Sequence, residues 1–114
     1  MALPVKFRLK KKQDFDKTFR QGRAVKNSSL LLRYRSNNLS LSRFGFVVSV
    51  KIAPTAVLRN RMRRVLSQFT QEKLTRINSG YDIVITALHK PEKENYTQLR
   101  EALGKILQDA GLLR

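Results

Sequence analysis

The sequence predicts a single α+β domain, a sandwich of helices packed on a small sheet, and three features predict it. The 114-residue length suits one hydrophobic core. An apolar fraction of 41%, with six Phe and three Tyr, is enough to fill that core. Along the chain the hydrophobic period alternates between helical and strand spacing, giving the order helix, strands, helix, strand, helix.

The elements can be justified in turn. Residues 1–12 interleave Val5, Phe7 and Leu9 with Lys6, Arg8, Lys10, Lys11 and Lys12. That alternation predicts an extended basic arm, whose order before binding the sequence leaves open. From Gln13 a short helix is expected, because Phe15 and Phe19 are four residues apart on one face and Gly22 stands where a helix stops. Residues 28–36 and 44–50 read as strands, and the cluster Ser36-Asn37-Asn38 between them supplies turn chemistry, so the two are expected to pair antiparallel. On the first of these strands Arg33 and Arg35 share a side, which puts a basic stripe on one sheet face.

The clearest helix follows. Pro54 suits its first turn, and Leu58, Met62, Val65, Leu66 and Phe69 recur at helical spacing. Asn78-Ser79-Gly80 ends that pattern, and the β-branched run at residues 81–88 reads as a buried strand. Leu99, Leu103, Ile106, Leu107 and Ala110 mark a last amphipathic helix, closed by Gly111 and expected to cover the sheet.

Charge points to the kind of partner. The net charge of +16 exceeds what solubility needs and creates a field that attracts polyanions. Residues 1–70 carry 17 basic and 2 acidic side chains, whereas residues 71–114 carry 7 and 6. A nucleic-acid surface is therefore expected from the first two thirds of the chain.

Within that stretch Arg59-Asn60-Arg61-Met62-Arg63-Arg64 crowds four arginines into six residues at the start of the long helix. At about 100° per residue they spread over the whole face that the apolar stripe leaves free. Stability alone would not favour them there. Arg59 and Arg63 are like charges at i and i+4, which costs roughly 0.2–0.5 kcal/mol, and the positive end of the helix dipole adds to the penalty. Guanidinium forks bind phosphate oxygens in bidentate fashion, and Asn60 adds an amide, so this face suits an RNA backbone.

No catalytic constellation accompanies it. The eight acids, Asp14, Asp16, Glu72, Asp82, Glu92, Glu94, Glu101 and Asp109, form no recognisable motif, and neither a glycine-rich phosphate loop nor a nucleophile triad is present. The absence of cysteine excludes disulfides and thiol-ligated metal, and His89 alone cannot make a histidine zinc site. No catalytic residue and no metal-binding residue is expected in the protein itself. No signal-like apolar region or membrane-length run occurs, so a cytoplasmic protein with no membrane partner and no small-molecule substrate is expected.

The residues now on the page resemble a known family. Lys51-Ile52-Ala53 followed by Ala56-Val57-Leu58 and the Arg59 to Arg64 cluster is similar to the signature of the bacterial ribonuclease P protein. Phe7-Arg8-Leu9-Lys10, Asp14-Phe15 and Phe19 to Gly22 are similar to that family's opening. The resemblance implies a mixed sheet of about four strands with three helices in αβββαβα order and a left-handed βαβ crossover, a ribosomal protein S5 domain 2-like fold. It further implies that an RNA subunit cleaves the 5′ leader from precursor tRNA using Mg2+, and that the protein assists. Arg59, Asn60, Arg61, Arg63 and Arg64 inherit contact with the catalytic RNA subunit. Phe15, Phe19 and Lys51 match positions that hold the single-stranded leader, and Arg33 falls near a cleft position where related sequences can carry an aromatic. The alternative is a ribosomal or ribosome-assembly RNA-binding protein without a role in tRNA processing.

Overall fold

A computed structural model describes residues 3–91 and 96–114; the acids Glu92 and Glu94 lie outside this range, as do residues 1 and 2 of the basic arm. The elements run α1 (Lys12–Gln21), β1 (Arg23–Lys26), β2 (Leu30–Ser36), β3 (Arg43–Val47), α2 (Ala56–Glu72), β4 (Tyr81–Ala87) and α3 (Thr97–Asp109). This is the αβββαβα order, with one four-stranded mixed sheet in spatial order β1-β2-β4-β3.

The expected antiparallel partnership of residues 28–36 with 44–50 does not form. Instead β4 lies between the two strands, antiparallel to β2 and parallel to β3. The reason is burial: Asp82, Ile83, Val84 and Ile85 are all buried, so β4 is covered on both faces and belongs in the middle of the sheet. β3 and β4 are thus parallel neighbours joined through α2. β1 is short and mostly exposed, with only Val25 half-buried against the core, and it forms an edge strand paired to β2.

The two faces of the sheet receive different coverings. Leu30, Leu32, Phe44, Phe46, Ile83 and Ile85 face Leu66 of α2 and Leu99, Leu103, Ile106 and Leu107 of α3, which makes the main core. The long helix keeps its predicted stripe, with Met62 and Leu66 buried, but Pro54 precedes it rather than entering its first turn. The cap is Thr55, whose hydroxyl accepts a hydrogen bond from the Leu58 amide. α3 is capped by Ala110, and Gly111 takes a φ of 73° that a side chain would resist.

α1 lies across the opposite face. Gly45 of β3 sits under it, and a Cβ there would collide with the Phe15 ring, so the close approach of helix and strand depends on glycine at this position. The residues before α1 are not an extended arm. Val5–Phe7 form a single 3-10 turn, Arg8 bridges Phe44, and the apolar anchors are Leu3 and Leu9, whereas Val5 is 57% exposed. The Leu3 amide donates to Ser67 Oγ of α2 at 3.2 Å, and the Leu9 amide donates to the Phe44 carbonyl at 2.8 Å.

One polar group lies at the join between α1 and the sheet. Asp82 is fully buried and accepts from Arg43 Nε and Nη2 at 2.8 Å each and from Asn37 Nδ2 at 3.0 Å. Arg43 also lies 3.5 Å from Asp14 on α1, so a single guanidinium ties β3 to β4 and to the helix above them. The hydrogen bonds that Arg43 donates to Asp82 hold the Arg43 pKa above its usual value, against the burial that lowers it.

Asp82→Asn keeps the shape of the side chain but leaves Arg43 without its carboxylate. It is expected to lower the unfolding free energy by about 3 kcal/mol, the low end for a broken buried pair because the Arg43 side chain is 24% exposed. Urea unfolding would show this as a lower midpoint at unchanged slope. A midpoint equal to the parent's would mean that the pair contributes nothing to stability.

Candidate nucleic-acid interface

Two surfaces carry the residues singled out by the sequence, and they lie on opposite sides of the sheet. The first is the start of α2. Thr55 sets its beginning, and Met62 and Leu66 fix its rotation against the sheet, which turns the arginine-bearing sides outward. Asn60, Arg61 and Arg64 are exposed, whereas Arg59 and Arg63 are half-buried.

The arginines of this helix differ in what they do. Arg59 folds back, and its Nη1 donates to the carbonyls of Ala53 at 3.0 Å and Pro54 at 3.1 Å. It therefore fastens the connection between β3 and α2. Arg63 donates from Nη2 to Asn60 Oδ1, one turn earlier on the same helix. That bond orients the guanidinium and draws two of the five candidate residues together. The described ion pairs place no carboxylate against Arg59, Arg63 or Arg64, so among the described residues the charge of these three is not neutralised.

The second surface is the sheet face that carries α1. Strand register brings Ala24, Arg33, Val84 and Gly45 into one row, and Arg35, Asp82 and Arg43 into the next. Phe15 covers the Gly45 end of its row. Phe19, one turn later and 36% exposed, lies over β2, where the Arg33 guanidinium sits 5.3 Å from the centre of its ring. Arg33 Nη1 also donates to the Phe19 carbonyl at 3.0 Å, so ring and cation form one fixed unit. Among the described residues the buried Nε atoms of Arg33 and Arg35 have no hydrogen-bond partner.

Beyond α1 the same face continues through Leu31, Thr86 and Val47, all half-buried, a strip the helix is too short to cover. An aromatic edge, a guanidinium and a shallow apolar floor are what a flexible single strand needs, since bases stack on rings and phosphates pair with cations. The expected basic stripe is present in a reduced form. Arg35 lies 3.7 Å from Asp82, so part of its charge is neutralised, while Arg33 is held by an aromatic ring and a carbonyl oxygen.

Of the predicted residues for this surface, the structure joins Phe19 directly to Arg33 and places Phe15 one turn earlier on the same helix. Lys51 is exposed in the turn of residues 49–52, past the end of β3. Residue reading missed Arg43, Asp82 and Gly45, which set where α1 lies. Asp82 had left a signal, a lone carboxylate in the apolar run Tyr81–Ala87. Among the described residues no helix is long and apolar enough to cross a membrane.

The comparisons with known proteins agree with one another. A family model described as ribonuclease P matches residues 3–111. A Synechocystis sp. protein named ribonuclease P protein component is 33% identical over 114 residues, which is 99% of this chain and 92% of that protein. Its counterpart in Pseudanabaena sp. is 34% identical, covering 97% of each chain. Among solved structures, the RNase P protein of Staphylococcus aureus superposes with a TM-score of 0.85 at 26% identity, covering 95% of this chain and 98% of that one. The RNase P protein from Thermotoga maritima gives 0.81 at 28% identity, covering 90% and 96%.

The different surroundings of the arginines predict different effects on stability. Arg59→Ala removes two hydrogen bonds to loop carbonyls and is expected to cost about 1 kcal/mol. Arg64→Ala on the exposed face should stay within about 0.5 kcal/mol of the parent. Thermal unfolding of the two single variants measures the difference, and equal losses would contradict the assigned roles.

Proposed function

Because this chain belongs to the ribonuclease P protein family, it is the protein subunit of that ribonucleoprotein, and we propose that it helps a catalytic RNA subunit remove the 5′ leader from precursor tRNA. The observation that carries this reading is the crowding of Arg59, Arg61, Arg63 and Arg64 at the positive end of α2, where no described carboxylate stands against Arg59, Arg63 or Arg64. An arrangement that costs the free protein stability is understandable if an RNA backbone completes it. The ribosomal or assembly-protein alternative is not favoured by the family match.

In this reading the two surfaces divide the work. Arg61, Arg63, Arg64 and Asn60 face phosphates of the RNA subunit, and Arg59 holds the connection that presents them. The α1 face takes the single-stranded leader of precursor tRNA: Phe19 offers a ring edge to a base, Phe15 supports that ring's helix, Arg33 meets a phosphate or base edge, and Lys51 tracks the backbone further along. Stacking on a ring is sequence-tolerant and worth about 1–3 kcal/mol per base, which suits a subunit that must serve many leaders. Hydrolysis of the phosphodiester belongs to the RNA subunit with its Mg2+ ions. What the protein contributes is cationic charge, which lowers the repulsion between two RNAs and so lowers the Mg2+ needed to bring them together. The complex is read as acting in the cytoplasm.

The direct test is to add the protein to the family's RNA subunit and a precursor tRNA at low Mg2+ and follow leader release. Stimulation over RNA alone is expected, and no stimulation would overturn the reading. A second measurement addresses the surface: replacing Arg61 and Arg64 together with Ala should reduce the slope of log affinity for the RNA subunit against log salt by about 1.4–1.8, since two phosphate contacts release fewer counterions. An unchanged slope would place the contact elsewhere.

A further inference from the structure

The end of the sheet where β2 finishes and β4 begins carries a further group of aromatic and cationic residues, outside the two surfaces described above. Gly22, between α1 and β1, lies so close to β2 that a Cβ on it would stand 2.4 Å from the Thr18 carbonyl oxygen and 2.9 Å from that of Tyr34. The chain turns tightly there, which holds Gln21 and Arg23 beside Tyr34. Together with Ser36 and Tyr81 they line a hollow of about 420 Å3, closed on the far side by the residues that follow α3.

The fold does not need all that this hollow offers. Tyr34 and Tyr81 meet edge to face with ring centres 5.9 Å apart, and both are half-buried against the main core. Phenylalanine would serve that packing, yet both residues carry hydroxyls, and among the described residues neither hydroxyl has a hydrogen-bond partner. Arg23 is exposed and, among the described residues, engages no carboxylate, carbonyl or ring. Arg35 also lines the hollow, but its charge is shared with Asp82. No acid lines the hollow among the described residues. The site stands at the Tyr81 end of β4, roughly 20 Å from the Ala87 end, after which residues 92–95 follow in the chain.

Continuity with the Phe19 and Arg33 unit decides the occupant. Gln21 is two residues beyond Phe19 on α1, and Tyr34 adjoins Arg33 on β2, where successive side chains point to opposite faces. The hollow therefore lies around the end of the sheet from that unit, and a single strand bound along the α1 face that continues past Phe19 arrives at it. Aromatic rings with unpartnered hydroxyls beside an unpaired guanidinium suit a chain that alternates bases with phosphates. We propose that the hollow is a distal leader subsite, which takes the next nucleotides of the precursor-tRNA leader beyond Phe19 and Arg33. Arg23 pairs with a phosphate there, and the Tyr34 and Tyr81 hydroxyls bond to a base or ribose. This inference rests on the reading that the α1 face takes the leader, and it adds where a longer leader goes.

Precursor tRNAs whose leaders are lengthened one nucleotide at a time test it with the assembled holoenzyme. In the parent, affinity is expected to rise in two stages, as the leader first reaches Phe19 and then the hollow. Arg23 is exposed, so Arg23→Ala retains the fold. It should weaken affinity for the longest leaders about fivefold, through loss of one charge-assisted hydrogen bond, and leave affinity for the shortest unchanged. Tyr81→Phe keeps the ring pair, removes only the hydroxyl and should reduce the same second rise. A second rise as large in both variants as in the parent, an equal loss at every leader length, or no second rise in the parent overturns the inference. A first rise that Phe19→Ala abolishes shows separately that the reading of the α1 face stands. A photoreactive thiouridine in the distal leader supplies a further readout: crosslinks to Tyr34 or Tyr81 are expected, and crosslinks to the RNA subunit alone overturn the inference.

Discussion

β4 is covered on both faces, and the rest of the molecule is arranged around that requirement. A strand with four successive buried residues, Asp82 to Ile85, needs a layer above and a layer below. On one side the layer is α2 and α3, which together supply the large aliphatic core. On the other side it is α1, joined over Gly45 by Leu9 from the segment before it. Ten helical residues span about 15 Å, and the seven residues of β4 about 23 Å, so one short helix cannot cover the whole face. The uncovered strip at Leu31, Thr86 and Val47 follows from that mismatch of lengths.

The position of α1 is fixed by two devices of opposite character. Gly45 removes a side chain so that Phe15 can rest on β3, which is packing. Asp82 and Arg43 provide a buried ion pair with a branch to Asp14, which is directional. Replacing such a pair with apolar residues often costs no stability, so its value here is in orientation as much as in energy. It registers the helix on the sheet and thereby places Phe19 beside Arg33.

The charge excess divides into two uses. Some cations are engaged within the fold: Arg43 with Asp82 and Asp14, Arg59 with the carbonyls before α2, and Arg100 with Glu72 at 2.9 Å. Others, such as Arg64 and Lys51, are exposed. The arginines of α2 stand close together at a helix start because the packing of Met62 and Leu66 leaves them no other side to occupy. A helper subunit of a ribonucleoprotein needs that combination, a rigid scaffold inside and a dense cationic edge outside.

By itself the sequence determined the class of fold, the presence and buried stripe of both long helices, the character of the partner and the arginine face, because each rests on local periodicity or on charge carried along a few turns. The resemblance of the motif around Arg59 to Arg64 was equally a property of adjacent residues, and the family match over residues 3–111 agrees with it. Only the tertiary structure decided which strands are neighbours, since pairing depends on which strand is buried twice and not on which comes next. It likewise decided that Arg59 supports the loop rather than standing free, and that Arg33 joins Phe19. It also showed that Leu3 and Leu9, not Val5, anchor the start of the chain. All of these are contacts between residues distant in sequence or turned by packing, and no periodicity in the chain encodes them.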